Sequence, residues 1–233
     1  MLQIQQFSYA TDNLGYLIFG PRTAIAVDGG AVKEMLAFIR EHDLRLACIT
    51  NTHCHGDHTP GNDALIQETG ASYVSPEMSA EKGFMAIDGE IIRVHPTPGH
   101  SSDSVVFQVG GMLLTGDTLF NGTIGNCFSG DLKAFFQSIR LLMAFPAETL
   151  IYAGHDYVKE SMAVAKGLEP DNGDITTYLN RYSPDHVCST LGEELRVNPY
   201  LRFNSPSIIR FLKSKGLRVE TEYERWESLL SVT

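Results

Sequence analysis

Six consecutive residues, His53-Cys54-His55-Gly56-Asp57-His58, hold three imidazoles and one carboxylate, and they come just after the short apolar run Leu46–Thr50. Gly56, with Pro60-Gly61 just beyond, argues against the helix on which an HExxH zinc site is built, so the segment reads as a loop. In a turn, side chains at i, i+2, i+4 and i+5 can meet at one centre, and alternate residues can serve two neighbouring cations. Imidazole and carboxylate are the ligands that borderline divalent metals prefer. Such a segment needs a fold that brings further ligands to the same strand end, and three are present. His100 follows the strand pattern Ile91–His95 through Pro96-Thr97-Pro98-Gly99, Asp117 follows Met112–Thr115, and His155 follows Thr149–Tyr152. Four strand ends that each deliver a metal-competent side chain to a loop describe one site on a rigid sheet rim. Five of the eight histidines fall in this set, and His42, His95 and His186 are left as surface or core residues.

Around these loops the chain alternates strand and helix signals. Leu2–Tyr9, Leu14–Phe19 and Thr23–Val27 read as strands, the last two separated by the turn Gly20-Pro21-Arg22. Ala31–His42 carries Val32, Met35, Leu36 and Ile39 at helical spacing, and Asp63–Thr69 reads as a second short helix. Ser104–Val109 and Met112–Thr115 flank Gly110-Gly111, the signature of a two-residue hairpin turn. Asp131 is placed to cap a helix running to Met143, with Leu132, Phe135, Phe136, Ile139 and Leu142 on its apolar side. From about residue 168 the strand pattern stops. Ser189–Glu194, Ser207–Lys215 and Glu220–Leu230 then read as short helices, and the Trp226 face of the last is available as a dimer contact. The expected division is a catalytic domain over residues 1–167 and a helical substrate-side region over residues 168–233.

Charge narrows the partners. The chain has a net charge of -10, with 10 Lys+Arg against 18 Asp+Glu in residues 1–167 and 8 against 10 in residues 168–233. This balance excludes a general binder of nucleic acid or anionic membranes, which needs clustered basic surface. Arg196, Arg202, Arg210, Lys213, Lys215 and Arg218 form a run of cations without an acid between Leu195 and Val219. They are either the solvated face of the tail or positive charge reaching toward an anionic substrate. The four cysteines show no CxxC spacing and no disulfide framework, and Cys54 has no need to act as a nucleophile beside metal ligands. No apolar run approaches the roughly 18 residues of a spanning helix. The opening MLQIQQFSYATDN lacks the basic and apolar regions of a signal peptide. A cytoplasmic protein with a small-molecule substrate, and neither nucleic acid nor membrane as partner, is expected.

HxHxDH followed by Gly-His, Gly-Asp-Thr and a final Gly-His resembles the metallo-β-lactamase superfamily, over residues 1 to about 165. The resemblance implies an α/β fold of the αββα sandwich type, here with a small C-terminal helical appendage. Carried over residue by residue, it implies that His53, His55 and His100 hold one metal, that Asp57, His58 and His155 hold another, and that Asp117 bridges them. Asp28 would support the site from behind the ligands. Two divalent ions are implied, zinc first, with iron or manganese as alternatives.

Within the superfamily, Gly116-Asp117-Thr118-Leu119-Phe120 and Ala153-Gly154-His155-Asp156-Tyr157 resemble glyoxalase II, the hydroxyacylglutathione hydrolases. Glu169-Pro170-Asp171-Asn172, Ser189-Thr190-Leu191-Gly192-Glu193-Glu194 and Asn198-Pro199-Tyr200-Leu201-Arg202 extend that likeness. It implies hydrolysis of an anionic thioester by a hydroxide shared between two metals, with Asp57 orienting the hydroxide and the thiolate leaving without a general acid. Tyr157 matches a substrate-contacting position. Asn126 stands where the family usually has a basic residue, and Phe128 where tyrosine is common. A missing charged donor to the substrate carboxylate costs about 1.5–3 kcal/mol of binding. Persulfide dioxygenases with one iron resemble the chain at Asn51–His55 and His155–Tyr157, but their Gly-Arg-Thr-Asp-type segment is missing. Lactone or phosphodiester hydrolysis would use the same ligand set.

Overall fold

Apolar residues on both faces of the central strands dictate a layered structure, because such strands must be covered twice. The computed structural model describes residues 1–232 and arranges them in four layers. The first sheet is formed in spatial order by β1 (Gln3–Tyr9), β2 (Asn13–Phe19), β3 (Thr23–Val27), β4 (Arg45–Thr50) and β5 (Ser72–Tyr73). Its first three strands are antiparallel and its last three parallel. The second sheet holds β6 (Phe84–Ile87), β7 (Glu90–Pro96), β8 (Val105–Val109), β9 (Met112–Gly116), β10 (Leu150–Ala153) and β11 (Ser189–Thr190), in order β11-β10-β9-β8-β7-β6. Only β9 and β10 run parallel in this sheet.

The period of two sorts the side chains between layers. Tyr16, Ile18, Ile25 and Val27 meet Val105, Phe107 and Leu114 between the sheets. Leu17, Ala24 and Ala26 face outward onto α1 (Val32–Glu41) and α2 (Asn62–Thr69), where Met35, Ile39 and Leu65 cover them. Val106, Leu113 and Ile151 face the opposite way, onto α4 (Leu132–Met143), which follows α3 (Pro76–Lys82) in the chain. The expected αββα sandwich is therefore the fold observed. Asp131 caps α4 as expected, its carboxylate accepting the Ala134 N–H at 2.9 Å.

The remaining helices are α5 (Val158–Leu168), α6 (Asp174–Arg181), α7 (Leu191–Val197), α8 (Pro206–Ser214) and α9 (Glu222–Leu230). Two expectations for the tail are corrected. Strand structure does not stop at residue 168, because Ser189 and Thr190 pair with Ile151 and Leu150 and add an edge to the second sheet. Two residues carry no alternation, so the strand has no sequence signature. Trp226 is not presented to a second copy. It is fully buried against Phe135 and Phe136 of α4, at ring distances of 5.7 and 5.4 Å. The outer apolar face of α4 would otherwise meet water, and α9 covers it.

A buried carboxylate locks the tail to the sandwich. Glu194 on α7 accepts hydrogen bonds from Gly122 N–H, Tyr178 Oη, Ser189 Oγ and Asn198 Nδ2, at 2.7–3.1 Å. Half of the basic run is spoken for within the tail. Arg202 makes a two-pronged contact with Glu169 at 2.6 and 2.9 Å, Arg218 pairs with Glu227, and Arg196 lies 3.9 Å from Asp174. Among the described residues, no hydrogen bond or ion pair joins the six cations to the histidine-rich loop.

Burial would raise the Glu169 carboxyl, but Arg202, with Ser205 and Ser207, outweighs it and holds the group below the usual glutamate value. The sign follows: the pair stabilises the fold above the ordinary glutamate pKa and loses that contribution as pH falls through the depressed folded value. Arg202→Ala should cost about 2–3 kcal/mol at pH 7. Urea denaturation at pH 7 and near pH 3 checks this, and the difference between the two proteins should shrink at the lower pH.

Candidate metal centre

Strand ends from both sheets meet along one rim. Leu14 N–H donates to the Gly154 carbonyl at 2.8 Å, and Val105 N–H donates to the Thr52 carbonyl at 2.8 Å, so backbone bonds join the sheets beside the site. The loop after β4 carries His53, His55, Asp57 and His58, the loop after β7 carries His100, and β9 and β10 end at Asp117 and His155. Asp28, just past β3, is fully buried in a left-handed conformation at φ 53°, which aspartate tolerates better than most residues. It accepts from Thr52 N–H at 2.9 Å, Thr52 Oγ1 at 2.7 Å, Asn51 Nδ2 at 3.3 Å and the Nδ1 side of His58 at 3.1 Å. One carboxylate thus sets the loop's entry and one ring of the cluster.

All seven residues singled out from the sequence come together as three interlocking groups: His53, His55 and His100; His53, His58 and Asp117; and Asp57, His58 and His155. In each group the ligand atoms lie within 4.8 Å of one another. His55 Nδ1 is 2.9 Å from His53 Nε2 and 3.0 Å from His100 Nε2. His58 Nε2 is 3.2 Å from His155 Nε2. Asp117 lies between the groups, with one oxygen 3.3 Å from His58 and the other 3.5 Å from both His100 and His155.

Outer contacts decide which nitrogen faces inward. His100 Nδ1 donates to the Asn126 carbonyl at 3.0 Å, and His155 Nδ1 donates to Asp12 Oδ1 at 2.9 Å. His58 Nδ1 faces Asp28. Where a ring is neutral its inward nitrogen carries a lone pair, and lone pairs 3 Å apart repel unless a proton or a metal cation lies among them. Burial pushes His53 down to about 4 and also lowers His100. Burial would lower His58 as well, but Asp28 and Asp117 override it and push that ring up to about 11. Asp117 would be raised by burial, yet His155 and His58 hold it far below the carboxylate range.

The centre therefore demands positive charge. A proton serves one contact, whereas a divalent cation serves three or four at once. Asp117 Oδ1 is buried without a hydrogen-bond partner. A Cβ on Gly154 would sit 2.1 Å from that oxygen and 2.9 Å from His58 Cε1, so only glycine leaves the space open. The donor set and this space fit divalent metal ions.

The three residues expected on the substrate side stand on the rim. Tyr157 is stacked parallel on His155 at 5.1 Å, with Phe120 edge-on to both rings. Phe128 is 67% exposed and edge-on to His55 and His100. Asn126 is exposed, and its carbonyl is occupied by His100. Cys54 points to Tyr73 and Asp103, and burial together with Asp103 pushes its thiol up to about 11, so it stays protonated and unreactive. Sequence reasoning missed Tyr9, Asp12 and Asn13, which reach Asp57 and His155 from the β1–β2 turn. Asp12 and Asn13 look like ordinary turn chemistry and Tyr9 like a strand end, and only the folded chain shows where they point.

Residues 79–155 match the model of the metallo-beta-lactamase superfamily, and residues 156–229 match that of the hydroxyacylglutathione hydrolase C-terminus. The hydroxyacylglutathione hydrolase of Pseudoalteromonas translucida is 31% identical over 246 residues, covering 98% of this chain and 96% of that protein. The chain belongs to the hydroxyacylglutathione hydrolase family. The family's member from Shewanella oneidensis is 34% identical over 81% of this chain and 80% of its own length. Among solved structures, ETHE1 from Myxococcus xanthus superposes with a TM-score of 0.65 at 26% identity, covering 85% of this chain and 84% of that one. The two family matches meet between His155 and Asp156, where the last histidine of the cluster hands over to the helical tail.

Asp28→Ala leaves four buried partners unmet and should cost about 3–5 kcal/mol, the range for breaking a buried charged network. Denaturant unfolding of metal-free protein measures this, with Asp28→Asn expected to lose less because its amide oxygen still accepts.

Proposed function

We propose that this chain is a binuclear metallohydrolase that cleaves a small anionic thioester of the hydroxyacylglutathione type. The observation that carries the reading is the set of interlocking histidine and aspartate groups around Asp117, in a chain that matches family members over nearly its full length. His53, His55 and His100 would hold one ion, Asp57, His58 and His155 the other, and Asp117 would hold both. Zinc suits a set of five imidazoles and two carboxylates, and iron and manganese accept the same ligands. Bound ions supply Lewis acidity toward the substrate carbonyl and acidify a water held beside them.

The chain's own residues supply the rest. Asp57 is half exposed; burial would raise its carboxyl, but His58 and Asn13 lower it, so it stands ionised to orient a water and accept its proton. Asp28, Asp12 and the Asn126 carbonyl hold three rings with their inward nitrogens free. Tyr157, backed by the buried Phe120, and Phe128 wall the rim, apolar surface against which a substrate arm can lie. A thiolate leaves without a proton donor. The four unpaired cysteines suit a reducing compartment and support a cytoplasmic location. No helix among the described residues is long and apolar enough to cross a membrane.

Elemental analysis of purified protein should find two metal ions per chain. S-lactoylglutathione hydrolysis should vanish on chelation and return with zinc, while one iron per chain with oxygen uptake on a persulfide would contradict the reading. The rim makes a second prediction. Asn126→Lys restores a cation near the substrate, and a charge-assisted bond of about 1.5–3 kcal/mol corresponds to a KM for S-lactoylglutathione lower by about 10–100-fold, with kcat little changed. Unchanged KM would remove Asn126 from the substrate side.

A further inference from the structure

The turn between β1 and β2 belongs to the first sheet, yet it is stitched to the end of β10 in the second. Leu14 N–H donates to the Gly154 carbonyl at 2.8 Å, and Asp156 N–H donates to the Asp12 carbonyl at 2.9 Å. Asn13 and His155 between them form an antiparallel bridge. Backbone bonds on both sides therefore fix the side chains of Asp12 and Asn13 against one part of the cluster. Asp12 Oδ1 accepts from His155 Nδ1 at 2.9 Å. Asn13, itself buried, donates to Asp57 Oδ2 at 3.1 Å and lies 3.4 Å from His155 Nε2. Tyr9 Oη donates to the Asp57 carbonyl at 2.8 Å.

Each of these contacts goes to the group of Asp57, His58 and His155. The group of His53, His55 and His100 is held by other segments: Thr52 Oγ1 lies 3.1 Å from His53 Nδ1, and the Asn126 carbonyl takes His100 Nδ1 at 3.0 Å. We infer that Asp12 and Asn13 are positioning residues for one half of the centre only, so that the β1–β2 turn sets the affinity of the Asp57/His58/His155 half independently of the other. This rests on the binuclear reading. The physical basis is that Asp12 fixes the tautomer of His155 and raises its donor strength, while Asn13 fixes the rotamer of Asp57. Losing such an outer contact costs about 10–100-fold in metal affinity.

The test titrates metal-free protein with zinc against a chromophoric chelator, and repeats the titration with cobalt(II) while recording the visible spectrum. Wild-type protein should take two ions. In Asp12→Ala and Asn13→Ala one step should weaken by about 10–100-fold while the other keeps its wild-type affinity. The cobalt spectrum should change only for the weakened equivalent. Asp12→Asn, whose amide oxygen still accepts from His155, should regain affinity relative to Asp12→Ala. A merely structural role would weaken both steps together, and that result overturns the inference, as do two unchanged affinities. A wild-type protein that takes one ion defeats the binuclear reading itself, which separates the two failures.

Discussion

Asp117 is buried among three imidazoles, and its Oδ1, 3.3 Å from His58 Nε2, makes no well-formed hydrogen bond. The rings around it turn their second nitrogens inward because their outer nitrogens are already committed to Asp28, Asp12 and a backbone carbonyl. Without a metal the protein can answer these carboxylates only by holding a proton on a ring such as His58. Burial works against protonating the others, lowering His53 and His100, and it strengthens repulsion between lone pairs. Divalent cations resolve both problems, and the sandwich around the cluster can be understood as the frame that holds the unfavourable arrangement together.

That frame relies on the two sheets meeting at one rim. Alternation along β2, β3 and β8 makes each strand contribute to two cores at once, so neither sheet can slide by one residue without exposing a whole apolar face. Fixed register places the ends of β4, β9 and β10 together, and inter-sheet backbone bonds at Leu14 and Val105 close the rim. The tail adds to the same end of the molecule. Glu194 on α7 holds the loop through Gly122, and Asn198 donates to the Thr123 carbonyl at 3.0 Å. That loop leads to Asn126, whose carbonyl orients His100. A helical region outside the cluster thereby contributes to the aim of one of its rings.

Much of this was legible in the sequence, for reasons that differ by residue. The seven clustered residues were found because each follows a strand signal, and apolar alternation is the strongest local pattern a chain carries. Asp131 and the Gly110-Gly111 hairpin were readable because capping and turn chemistry act over three or four residues. The strands β5 and β6 gave no signal because they are short and lie on sheet edges, whereas α3 between them was passed over although Ser75-Pro76 and Gly83 mark its two ends. β11 has two residues and no period. Asp12 and Asn13 were missed because their partners lie 143 and 44 residues away, a distance no local pattern spans. Trp226 was placed on an outer face because its helix alone does not say that α4 needs a cover.

The central claim is that Asp117 is shared by two cations, one in each half of the cluster. Anomalous diffraction from crystals of metal-loaded protein, collected at the absorption edge of the metal, tests it most directly. Two peaks roughly 3.5–4 Å apart, one beside His53, His55 and His100 and one beside Asp57, His58 and His155, with Asp117 between them, are the expected result. A single peak, or two peaks neither of which adjoins Asp117, would contradict the account.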